Sequence, residues 1–199
     1  MEKFEIYKEI IAELINTGIG KAASILNQML NEEIEINLPT VRILDHEQFM
    51  EWEQNLNYKE GFVVVNQDFG GEFSGQGMVY FPLTNGKTLI NTLMDLNDDT
   101  FDDSFSAIDL DAIGEVGNTI INSVQGTISD MVMVESKLGL PTVTVKDELV
   151  SMIDHGQMCL VGETIFRAKS ACIEGVVLLV YSYENMELIL RNVEFGDDF

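Results

Sequence analysis

Residues 111–123, DAIGEVGNTIINS, decide how the rest of the chain is read. Steps of four and three residues keep Asp111, Glu115 and Asn118 on one face of a helix. Their neighbours are apolar or small: Ile113, Gly114, Val116, Gly117, Ile120 and Ile121. A polar stripe on such a helix is either a solvated face or a working one. Gly114 and Gly117 each cost about 1 kcal/mol in a helix relative to alanine. They make sense where another helix or a partner packs close.

The same pattern stands 102 residues earlier. Asp111, Glu115, Asn118 and Pro141 repeat Glu9, Glu13, Asn16 and Pro39, and both sets read acid-x3-Glu-x2-Asn-x22-Pro. INLPTVRI resembles LGLPTVTV, and QGMVYFPLTNGKTLINTL resembles GVVLLVYSYENMELILRN. The repeat implies an internal duplication with halves of about residues 1–97 and 104–195. Between them, seven aspartates fall in the seventeen residues from Asp95 to Asp111, an acidic connection that reads as a solvated loop.

Each half reads as helix, strands, helix. In the first, apolar residues at helical spacing cover the opening thirty residues. PTVRIL is β-like, and 46–59 is a short helix and loop. GFVVVNQDF and GQGMVYF are strands turned by Gly70, Gly71 and Gly75. NGKTLINTLMDL is a helix that Asn85 could cap. In the second half, Asp109–Met133 is a long helix and LPTVTV a strand. MCLVGET, IFRAKSACI and EGVVLLVYSY are three strands, and ENMELILRNV is a helix capped by Asn185 or Ser182. The expected fold is a single α/β domain of the α+β type with pseudo-two-fold symmetry. Two motif helices should lie side by side over a mainly antiparallel sheet.

Composition narrows the function classes. Eleven basic against 34 acidic residues give a formal charge of −23, which repels phosphate backbones and anionic lipid. Binding to nucleic acid through a basic patch is therefore not expected, nor is membrane insertion, since apolar runs such as Val176–Tyr181 are far shorter than a bilayer span. The N-terminus lacks the pattern of a secretory signal. Cys159 and Cys172 suit reduced core thiols, and no Cys/His spacing suggests zinc. These features together point to a cytoplasmic chain. No G-x-S-x-G, P-loop, H-E-x-x-H or Cys–His pairing suggests a nucleophilic or metal-dependent enzyme.

The duplicated motif resembles the signature of the CheC/CheX/FliY family of CheY phosphatases. AELINTGIGKAAS (12–24) and GEVGNTIINS (114–123) look like the two active-site helices of its CheC type. The CheX type resembles a shorter version with one motif that acts as a dimer. Glu9 stands where the family usually has Asp or Ser.

The resemblance implies a chemotaxis enzyme that hydrolyses the aspartyl phosphate of a CheY-like response regulator. Asn16 and Asn118 would each orient the attacking water, Glu13 and Glu115 would meet a lysine of the regulator, and Glu9 and Asp111 would border the docking face. The chain would bring no cofactor or metal of its own, and Mg2+ would sit on the regulator. CheD is a further partner implied by the resemblance. Non-catalytic alternatives are a CheD-binding adaptor and an assembly module like the flagellar-switch proteins. A docking active site should leave Glu13, Asn16, Glu115 and Asn118 accessible and free of fixed partners.

Overall fold

A computed structural model describes residues 2–30, 33–36, 40–55, 61–72, 74–95, 104–146, 157–168, 172–182, 185, 188 and 191–192. Its helices are α1 (Glu2–Leu30), α2 (His46–Asn55), α3 (Leu83–Leu93) and α4 (Ala107–Val132). Its strands are β1 (Ile34–Ile36), β2 (Thr40–Leu44), β3 (Phe62–Gly71), β4 (Gly75–Pro82), β5 (Ser136–Leu138), β6 (Thr142–Lys146), β7 (Gln157–Ala168) and β8 (Cys172–Ser182). The fold is α+β, and every described strand pairing is antiparallel.

The sheet runs β1-β7-β8-β4-β3-β5, with β2 beside β1 on the same edge of β7 and β6 beside β5 on the same edge of β3. The outer strands are exchanged between the two parts of the chain. β1 and β2 pair with β7, while β5 and β6 pair with β3.

Alternation along the strands divides the core into two layers. Val63, Val65, Val79, Val177 and Leu179 face α1, α4 and α3. Phe62, Val64, Tyr80, Val161 and Leu178 face the opposite side, where Phe49 and Trp52 of α2 cover them. Strands covered on both faces need apolar residues at every position, which is why FVVV and VVLLVY are unbroken. Burial pushes the Cys159 thiol and the Tyr80 and Tyr181 phenols well above their ordinary pKa values. Cys159 is a free, buried thiol. Gln125, fully buried in α4, accepts from the Tyr181 hydroxyl at 2.8 Å and donates to Ser136 Oγ at 3.2 Å, so its amide is satisfied.

α1 and α4 pack directly on each other. A Cβ on Gly18 would fall 2.6 Å from Val124 Cα, so the helices meet backbone to backbone there. Thr119 Oγ1 also lies 3.9 Å from Met29 Sδ. Residue numbers rise on one helix as they fall on the other, which makes the pair antiparallel. α4 lies equally close to the sheet: a Cβ on Gly117 would fall 2.5 Å from Val65 Cβ, and one on Gly114 would fall 3.0 Å from Val143. The close neighbour of these two glycines is thus the sheet, not a second helix or a partner.

Two local expectations are corrected. β7 is continuous through Ala168 and pairs with β8 as far as Arg167↔Cys172, so two strands occupy the span read as three. α3 begins at Leu83 after Pro82, with no side-chain cap bond. Asn85 lies inside its first turn and donates instead to the Glu174 carbonyl at 3.2 Å. Asn185, Leu188, Arg191 and Asn192 are helical, as expected. Pro39 and most of the acidic connection lie outside the described residues.

Candidate active site

The N-terminus of α4 is firmly held. Ser106 and Asp109 form a capping box, with Asp109 N–H donating to Ser106 Oγ at 3.2 Å and Ser106 N–H donating to Asp109 Oδ2 at 2.8 Å. Lys87 of α3 lies 3.5 Å from the same carboxylate and 4.5 Å from the centre of the Phe105 ring. Partial burial works against the charge on Asp109. The Ser106 bonds and the Lys87 cation outweigh it and hold the carboxyl below its ordinary value. α4 therefore leaves this end with fixed orientation and carries its polar stripe outward.

Along the stripe Asp111 and Glu115 are exposed and Asn118 is half-buried. On α1, Glu9 and Glu13 are exposed and Asn16 is half-buried. Each motif thus presents two exposed carboxylates and a recessed carboxamide. No hydrogen bond or ion pair joins Glu13 or Glu115 to another described residue. The helices bring the two motifs onto neighbouring elements but do not merge them. With Gly18 level with Val124, Asn16 and Asn118 are offset by eight residues, about 12 Å along the helix axes.

The two asparagines differ from the expectation of freedom, and from each other. Asn118 Oδ1 accepts from Gln67 Nε2 at 3.1 Å and from Asn122 Nδ2 at 3.0 Å. Gln67 Nε2 also donates to the Gly139 carbonyl at 2.8 Å, and Gly139 N–H donates to the Asp68 carbonyl at 2.8 Å. Asn16 Oδ1 is buried with no hydrogen-bond partner among the described residues. The carboxamide of Asn118 is therefore fixed through its oxygen, because a half-buried amide beside a packed sheet finds donors there.

These bonds give the distant proline a place. The chain leaves α4 at Val132, passes through β5 and returns beside Asn118 at Gly139, two residues before Pro141. The return brings Leu140 to the surface, 89% exposed. Ile108, one helical step before Asp111 on the stripe, is 68% exposed. Exposed apolar residues thus stand on α4 just before the acids and in the chain just after Gly139.

Gln67 was not singled out from the sequence, yet the signal was present. Val63, Val65 and Gln67 alternate onto the same sheet face, and Gln67 is only 2% exposed. A polar residue at a core-facing position of an apolar strand marks a bonded partner. Among the described residues no group of three or more His, Cys, Asp or Glu is placed to hold a metal ion. No described helix is long and apolar enough to cross a membrane.

No protein-family model matches the sequence. The chain is 24% identical over 161 residues to the CheY-P phosphatase CheC of Bacillus subtilis (strain 168), covering 78% of this chain and 74% of that protein. It is 20% identical over 143 residues to the flagellar motor switch phosphatase FliY of the same organism, covering 72% of this chain but only 36% of that protein. Among solved structures, Thermotoga maritima FliY matches with a TM-score of 0.76 at 17% identity over 96% of both chains. The Helicobacter pylori FliM middle domain matches with a TM-score of 0.69 at 12% identity, over 96% of this chain and 98% of that one. A CheX–CheY–BeF3–Mg2+ complex from Borrelia burgdorferi matches with a TM-score of 0.58 at 19% identity, over 84% of this chain and 97% of that one. In sequence the chain is similar to CheC and FliY, and it shares its fold with FliY, FliM and CheX structures, which makes it similar to the CheC/CheX/FliY family.

Proposed function

We propose that this chain is a cytoplasmic chemotaxis phosphatase that hydrolyses the aspartyl phosphate of a CheY-like response regulator. One observation carries the reading: an exposed glutamate and a recessed asparagine, three residues apart, occur on each of two adjacent helices at the same spacing. The names of the curated relatives support it, as does the CheY partner in the CheX complex.

The chemistry suits the side chains. Water attacks phosphorus in line, the bond from phosphorus to the aspartyl oxygen breaks, and the products are inorganic phosphate and a free carboxylate. Such transfer asks for positioning and electrostatics rather than covalent help. Asn16 and Asn118 hold the water. An uncharged amide can sit beside an anionic phosphoryl group, where a carboxylate would be repelled. Glu13 and Glu115 pair with a lysine of the regulator and set the register. Glu9, Asp111, Ile108 and Leu140 border the docking face. Mg2+ belongs to the regulator and is not held by this chain. Two repeats, 1–97 and 104–195, form one domain with a site on each. The exchanged strands and the 102-residue offset support that division.

The test is release of inorganic phosphate from a phosphorylated CheY-like regulator with Mg2+, with and without CheD. The proposal expects a shorter phosphoryl lifetime with the purified chain alone. A second reading, an assembly module, has the FliM likeness in its favour. It expects binding to switch components without any change in that lifetime. A lifetime that shortens only with CheD favours the adaptor reading.

A further inference from the structure

Building on the phosphatase reading, we infer that Gln67 is a positioning residue that fixes which end of the Asn118 carboxamide meets the attacking water. The Gly139 carbonyl can only accept a hydrogen bond, so the end of Gln67 facing it at 2.8 Å must be the NH2 group. The same nitrogen faces Asn118 at 3.1 Å, so Asn118 must present its oxygen there. Asn122 then turns its Nδ2 to the same oxygen, at 3.0 Å, and adds a second donor. With Oδ1 held inward by two donors, the N–H groups of Asn118 Nδ2 are what remain for the open face. Asn118 therefore holds the water by donating to it. The water keeps its second lone pair for phosphorus.

Among the described residues the first motif shows no matching pair of amide donors. The residue 102 positions before Asn122 is Gly20, which carries no donor side chain. Val65 pairs with Val143 and Gly162 pairs with Val41, so the position in β7 matching Gln67 is Thr164, which has no amide. Asn16 Oδ1 is buried without a partner among the described residues. The clamp belongs to the second site and makes it the faster of the two.

The experiment isolates that site in an Asn16→Ala background and measures kcat and KM with a phosphorylated CheY-like regulator. Gln67→Leu should lower kcat about tenfold or more with KM within about threefold, because an unheld amide spoils orientation rather than docking. Gln67→Glu, which keeps the shape but loses the donor, should fall similarly. Asn122→Ala, which leaves one donor, should fall less. Where Asn118 is already alanine, Gln67→Leu should cause no further loss, so the pair is non-additive.

Unchanged kcat in Gln67→Leu would overturn the clamp, as would equal losses with and without Asn118, which signal general damage to the fold. If Gln67→Leu does not fold, Asn122→Ala decides, since it removes the other donor from the helix face. An Asn16→Ala/Asn118→Ala chain with normal turnover would instead overturn the phosphatase mechanism itself.

Discussion

Gly117 of α4 rests on Val65 of β3 so closely that a Cβ on the glycine would fall 2.5 Å from the valine Cβ. At the matching place in the other part of the chain the sizes are reversed: Ile15 of α1 lies over Gly162 of β7, with 3.3 Å between Ile15 Cγ2 and a Cβ on the glycine. Large meets small at both places, with helix and strand trading roles. Gly117→Ala should therefore destabilise the chain. Overpacking costs about 1–3 kcal/mol, and the better helix propensity of alanine returns about 1 kcal/mol. Urea unfolding should show a net loss, and Gly117→Ala/Val65→Ala should be less unstable than the sum of its single changes. A Gly117→Ala chain more stable than wild type would contradict the packing described.

The cap of α4 should give a pH signature. Asp109 has a folded pKa below its ordinary 3.8, so its contribution is complete above that value and is lost as pH falls through the lower folded value. Asp109→Asn should lower stability at pH 7 and flatten the pH dependence below about pH 4. Ser106→Ala should cost about 1 kcal/mol. Unfolding free energies measured from pH 7 to pH 2 check both; an unaltered acid limb in Asp109→Asn counts against the cap.

Leu140 separates docking from folding. At 89% exposure it contributes little to the core, so Leu140→Asp should change stability by no more than about 0.5 kcal/mol. Beside the acidic stripe it should add apolar contact to a docked regulator, so the substitution should raise KM and leave kcat near normal. Equal KM values for the two proteins would remove Leu140 from the docking face.

The duplicated motif and its helices were legible in the sequence because helical periodicity and a fixed 102-residue offset are local signals. FVVV and VVLLVY were legible as strands. The exchange of β1, β2, β5 and β6 between sheet edges was not, since short strands carry no mark of their partners. The continuity of β7 past Thr164 was not legible, and Gly162 within it makes room for Ile15. At the site, the exposed glutamates followed from the stripe alone. The bonds on Asn118 did not, because Gln67 and Gly139 reach it only through the fold.

The central claim is that Asn16 and Asn118 each serve a separate site. The most direct measurement is phosphate release from a phosphorylated CheY-like regulator by the wild-type chain, Asn16→Ala, Asn118→Ala and the double variant. Each single variant should keep the activity of the untouched site, with Asn118→Ala losing more. The double variant should fall by about 10²–10³, the usual cost of one well-placed polar contact to a transition state. A double variant that folds, binds the regulator and hydrolyses it at the wild-type rate would contradict the account.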